Sequence, residues 1–172
     1  MRGKERNGRR IAILGVGNPI LGDDGAGPRA LEIIKGELGG GVRHLGNVYV
    51  ELKEVCSGNL GLMEELIGFD EAIIIDSISA GPGIEEGEII ELAPEDLRAG
   101  GEPLNAHAAD FASSYGLYRS ILESSMPSKV KIYAIAIRDP EGFCDRLSQK
   151  AEAAAHAVAS RILRELFNGR AE

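Results

Sequence analysis

The chain has 172 residues, 44% of them hydrophobic, with a formal net charge of −8 and a pI near 5.0. This acidity argues against a nucleic-acid partner, because phosphate binding needs a basic face that the composition does not supply. No stretch reaches the roughly eighteen consecutive apolar residues of a membrane-spanning helix, so membrane insertion is not expected. The length is near the usual value for one domain, and a single domain over residues 1–172 is expected, cytoplasmic, with 1–9 as a flexible basic tail. The opening MRGKERNGRR leads straight into a strand rather than into a signal peptide's apolar segment. Cys56 and Cys144 belong to no CxxC pair and are expected to be reduced.

Apolar β-rich runs alternate with helical patterns, the arrangement that builds parallel βαβ units. Arg10 to Val16 (RIAILGV) reads as a buried first strand. A glycine-rich loop follows, and Pro28 suits the first turn of a helix through PRALEIIKGEL, stopped by Gly39-Gly40-Gly41. Asn47 to Val55 reads as the second strand, Leu60 to Ile67 as a short helix, and Glu71 to Ile75 as a buried third strand with Asp76 at its carboxyl end. Gly87 to Leu92 (GEIIEL) is a short edge strand that can run antiparallel. A helix from about His107 to Glu123, a strand from Lys129 to Ile137 and a helix from about Asp145 to Leu166 complete the chain. The expected fold is α/β, a three-layer α/β/α sandwich on a mostly parallel, twisted sheet of about five strands.

Ligands of such sheets bind beyond the carboxyl ends of the strands. That selects the loop Gly15-Val-Gly-Asn-Pro-Ile-Leu-Gly-Asp-Asp-Gly-Ala-Gly27, then Cys56 to Gly58, Asp76 to Ser79, and Arg138-Asp139-Pro140. Gly15 and Gly17 start a dinucleotide fingerprint, but its third glycine position holds Ile20. A phosphate about 5 Å from Asp23 or Asp24 would also meet like charge, at about 3 kcal/mol per pair for an effective dielectric near 20. A divalent cation reverses that sign, and carboxylates on a rigid turn are hard oxygen ligands for one.

The alternatives are local. Either aspartate could cap the helix that follows, and Asp76 could open an Asx turn. Of the three histidines, His156 lies within a helical pattern and His44 in a connection after the triple glycine, whereas His107 stands where a loop enters a helix. Two carboxylates and one imidazole with a position left open would suit nickel, zinc or iron.

Gly17-Asn-Pro-Ile-Leu-Gly-Asp-Asp-Gly-Ala-Gly-Pro28 with its preceding strand resembles the opening of the hydrogenase maturation endopeptidases, which process NiFe-hydrogenase large subunits. The aspartate in IIIDSI, the histidine in NAHAAD and the sequence Arg-Asp-Pro-Glu-Gly-Phe143 fall in the family's order. The resemblance implies that Asp24, Asp76 and His107 are the metal-contacting positions, with Asp24 and Asp76 also catalytic. Gly17, Asn18, Asp23, Gly25 and Cys56 would support the loop or the substrate. It also implies no permanent cofactor. The nickel arrives with the large-subunit precursor, whose C-terminal extension is then removed, although zinc or cadmium could occupy the same ligands. One departure is the second strand's exit, Glu54-Val-Cys-Ser-Gly58, where the family is commonly glycine-rich. Cys56 is there either a small buried thiol or a group that approaches the site. Two alternatives stand beside the peptidase: a non-catalytic metal-binding maturation factor, and a nucleotide-binding enzyme that the acidic loop disfavours.

Overall fold

Ile11, Ala12, Ile13 and Leu14 present apolar side chains to both sides of an extended backbone, so this segment belongs in the middle of a sheet covered on both faces. In the computed structural model, which describes residues 8–56, 59–97, 106–138 and 142–168, and the backbone alone at 59 and 106–110, it forms β1 (Arg9–Val16). The other strands are β2 (Val42–Leu45), β3 (Val48–Val55), β4 (Glu71–Ser79), β5 (Ile89–Leu92) and β6 (Lys129–Ile137). They form one six-stranded sheet in the order β2-β3-β1-β4-β6-β5. The four inner strands are parallel, and β2 and β5 are antiparallel edges.

Four helices cover the sheet: α1 (Ala26–Leu38), α2 (Asn59–Leu66), α3 (Ala106–Ile121) and α4 (Gln149–Asn168). Strand side chains alternate between faces. Ile11, Ile13, Ile73 and Ile75 therefore pack with Ile34 of α1 and Val158 and Ile162 of α4. Ala12, Leu14, Ala72 and Ile74 pack with Met63 and Leu66 of α2 and Phe111 and Tyr115 of α3. This is the expected three-layer α/β/α sandwich. No helix among the described residues is long and apolar enough to cross a membrane.

The sheet differs from expectation at its ends. It has six strands rather than about five because Val42–Leu45 pairs back on β3 through a tight turn in which Gly46 takes φ +65°. Only Leu45 of that strand is buried, so no hydrophobic period announces it. Arg9, expected in the tail, pairs with Val48 in the sheet and places its Nε 3.1 Å from Glu71. The edge strand β5 is antiparallel to β6. Helix α4 starts at Gln149 rather than near Asp145, where Ser148 Oγ accepts the N–H of Ala151 at 3.2 Å.

Two features prepare the carboxyl edge. The chain leaving β1 returns to β3 on one side, and the chain leaving β4 proceeds to β6 on the other, which opens a crevice between the exits of β1 and β4. Moreover, β1 pairs with β4 only as far as Gly15↔Ile75, while β4 continues beside β6 to Ser79↔Ile137. The last four residues of β4, Asp76 to Ser79, thus overhang β1. Asp76 lies within this strand rather than just past its end.

Helix α1 docks into the notch because Gly27 has no side chain: a Cβ there would lie 2.3 Å from the Val16 carbonyl oxygen and 2.5 Å from that of Ile75. Both are backbone atoms of the sheet and cannot swing away. Gly27→Ala is expected to cost about 1–3 kcal/mol through overpacking, read as a lower urea midpoint at unchanged slope. Gly36→Ala on the same helix, where a Cβ meets nothing within 4 Å, is expected to raise the midpoint by about 0.5–1 kcal/mol.

Candidate functional site

The β1 exit turns at Gly17, whose φ of +134° is open to glycine and strained for other residues. A Cβ there would stand 2.0 Å from the Asp24 backbone oxygen, so the loop closes tightly on itself. Asn18 holds the turn twice, accepting the Ile20 N–H through Oδ1 at 3.2 Å and the Leu21 N–H through its carbonyl at 3.0 Å. The chain then makes a 3-10 turn, Gly22–Gly25, before α1. Gly25 packs on Pro19, with 3.0 Å from a Cβ position to the Pro19 Cα. Asp24 stands in this turn with both oxygens engaged: Oδ2 accepts the Asn18 N–H at 2.8 Å and Oδ1 accepts the Ser77 hydroxyl at 2.7 Å.

Asp76 lies on the overhang of β4, on the same face as Ala72 and Ile74, toward α2 and α3. Its Oδ1 accepts the N–H of Ser77 at 2.8 Å. Desolvation disfavours its charged form, the Ser77 N–H partly offsets this, and the negative charge of Asp24 adds to it, so the carboxyl is pushed up to about 7. Asp24 and Asp76 are therefore brought to one crevice, joined through Ser77.

His107 lies in the first turn of α3. That helix is followed within eight residues by Lys129, the start of β6, so it descends toward the amino edge and begins at the other end. The His107 side chain lies outside the described residues. Among those described, no three His, Cys, Asp or Glu side chains gather as a metal site.

The remaining sequence candidates separate. Neither aspartate caps α1, whose N-cap is Gly25 without a side-chain bond. Asp23 instead reaches the last helix, its Oδ1 accepting the Ser148 N–H at 2.6 Å, just before α4. Cys56 is exposed after β3, near Gly17, whose N–H bonds the Val55 carbonyl at 3.3 Å. Arg138 Nε pairs with Glu86 at 3.0 Å, and Asp139-Pro140 lie outside the described residues.

Two participants escaped sequence reasoning. One is Ser77, which lies within the selected Asp76 to Ser79 exit but takes no role there from the sequence alone. The other is the segment around Cys144, which bridges to Leu21 while its N–H bonds Ile20 O at 2.9 Å and its carbonyl accepts the Gly22 N–H at 2.6 Å. Beside that bridge Ile20 and Phe143 stand 54% and 87% exposed, an apolar rim to the loop. No local motif marks this pairing, because it depends on where the chain goes after β6.

Solved structures that share this fold bear the names of maturation endopeptidases. The hydrogenase maturating endopeptidase HybD from E. coli superposes with a TM-score of 0.67 at 22% identity over 93% of each chain. The NiFe-hydrogenase maturation protease HybD from Thermococcus kodakarensis gives 0.66 at 23% identity, over 91% of this chain and 98% of that one. HycI from the same organism, a NiFe-hydrogenase maturation protease, gives 0.62 at 23% identity over 91% and 92% of the two chains. This chain has the fold of the hydrogenase maturation endopeptidases, the group its opening loop resembles. No protein-family model matches the sequence, and no curated protein matches it either.

The Asp76 carboxyl carbon is expected to titrate in NMR with a midpoint near pH 7, against an ordinary 3.8. Asp24→Asn should lower that midpoint only in part, since burial is the larger cause. The folded-state pKa is the higher one, so the folded protein holds the extra proton. This group's contribution to stability is thus full below about 3.8 and falls as pH rises toward about 7. A midpoint near 4 would show an unburied carboxyl.

Proposed function

We propose that this chain is a cytoplasmic endopeptidase that removes the C-terminal extension of a NiFe-hydrogenase large-subunit precursor after nickel insertion. The observation that carries this reading is the joining of Asp24 and Asp76 through Ser77 at the switch point of a maturation-endopeptidase fold. The donor set fits a divalent ion. A half-buried carboxylate beside a second negative charge is poorly solvated, and a cation relieves both costs. Asp24 and Asp76 would hold the nickel carried by the precursor, joined by His107 as the sequence resemblance implies. The chain needs no permanent cofactor, and zinc or cadmium could take the same ligands.

The substrate's nickel supplies Lewis acidity toward the scissile carbonyl. The chain's own residues do the rest. Asn18 and Ser77 hold Asp24 at the crevice, and one of the two carboxylates can take a proton from the attacking water. Addition of that water oxygen to the carbonyl carbon gives a tetrahedral intermediate, whose collapse breaks the C–N bond as the proton passes to the departing amine. The exposed Ile20 and Phe143 give the precursor an apolar surface next to the loop.

Intact mass of the cognate precursor tests this. Nickel-loaded precursor is expected to lose a C-terminal peptide on incubation with the protein, and nickel-free precursor is expected to remain whole. Asp24→Asn and Asp76→Asn should each lower the rate at least a hundredfold (about 2.7 kcal/mol of barrier), with the fold retained by circular dichroism. An unchanged mass for loaded precursor would favour the non-catalytic maturation factor.

A further inference from the structure

Asp76 and Ser77 are neighbours on an extended strand and so project to opposite faces of the sheet. Asp76 shares the face of Ala72 and Ile74, under α2 and α3, whereas Ser77 shares the face of Ile73 and Ile75, under α1 and α4. Asp24 lies in the turn that feeds α1 and meets Ser77, whose hydroxyl it accepts at 2.7 Å. The two carboxylates therefore approach the crevice from opposite sides of β4. The residue that touches both is Ser77, through its hydroxyl on one side and its N–H, 2.8 Å from Asp76 Oδ1, on the other.

We infer that Ser77 is a positioning residue that sets the orientation of Asp24 relative to Asp76, and so shapes the pair for the metal carried by the substrate. This deepens the function proposed above and rests on it. The Ser77 N–H belongs to the backbone and survives any substitution except proline, so the hydroxyl is the part that side-chain chemistry controls. Without it Asp24 keeps, among the described residues, the Asn18 N–H on Oδ2, and its carboxylate loses the contact that fixes its terminal torsion. Outer partners of this kind orient ligands, and their loss typically lowers metal affinity about 10–100-fold.

The test uses the full chain with Cd²⁺ alone as probe, by calorimetry and cadmium NMR. Ser77→Ala is expected to bind Cd²⁺ about 10–100-fold more weakly, with a shifted cadmium resonance, and Ser77→Thr, which keeps the hydroxyl, is expected to restore both. With nickel-loaded precursor, Ser77→Ala should raise KM more than it lowers kcat. A serine that merely tied the loop to the strand would lower the melting temperature and leave the resonance in place. Unchanged affinity and resonance in Ser77→Ala would overturn the inference, as would a wild-type protein that takes up no Cd²⁺. If Cd²⁺ binding weakens as expected while wild-type protein leaves loaded precursor uncut, the peptidase reading falls and the positioning role stands.

Discussion

Gly27 faces two sheet carbonyls, those of Val16 and Ile75, at a distance that no side chain can share. Because of that approach α1 begins directly over the exits of β1 and β4 instead of standing off by the usual thickness of a side-chain layer. Gly15 extends the contact downward, where a Cβ would lie 2.8 Å from the Gly27 carbonyl oxygen and 2.9 Å from the Leu31 Cβ. Gly17 extends it upward, against Asp24. The glycines that look like a phosphate cradle in sequence thus serve another purpose. They remove volume so that a helix, a strand end and a loop can meet, and the room they leave is filled by backbone rather than by a ligand.

Once the loop is that close, the environments of the two carboxylates diverge. Asp24 receives a donor on each oxygen, one from the backbone and one from a hydroxyl. Asp76 receives, among the described residues, one backbone donor on Oδ1, and desolvation favours its proton. The difference in hydrogen bonding follows from the sheet itself, since Asp76 and the residue that serves Asp24 lie on opposite faces of one overhanging strand.

That overhang explains how far the sequence could be read. Layer architecture, parallel core strands and the acidic loop all follow from hydrophobic period and glycine placement, and each was legible. The apolar run EAIII ends at Ile75, so the strand seemed to stop there, yet β4 continues to Ser79 because β6 goes on pairing with it. Ser77 consequently looked like part of the strand's exit. Asp23 looked like a cap for α1 because a helix follows it in sequence. Its actual partner is Ser148, 125 residues away, and no local pattern carries that distance. The four residues of β2 and the late start of α4 were hidden in the same way, one by exposure and the other by the pairing of the Cys144 segment with the loop.

Asp23 and Asp24 are consecutive and yet brace the turn in opposite directions. Asp23 ties it to the segment entering α4, and Asp24 ties it to β4. Hydrogen bonds to a charged group contribute roughly 1.5–3 kcal/mol each, enough to make the loop between β1 and α1 behave as part of the scaffold. The backbone bonds between Cys144 and both Ile20 and Gly22 add a third attachment. A loop held from three sides lets a carboxylate face the crevice without first being ordered by what arrives there, and preorganised ligands of that kind spare the conformational cost that binding would otherwise carry. The two loop carboxylates that argue against phosphate therefore stand on backbone held from three sides, which is the condition a site needs if it is to respond to the presence of a cation.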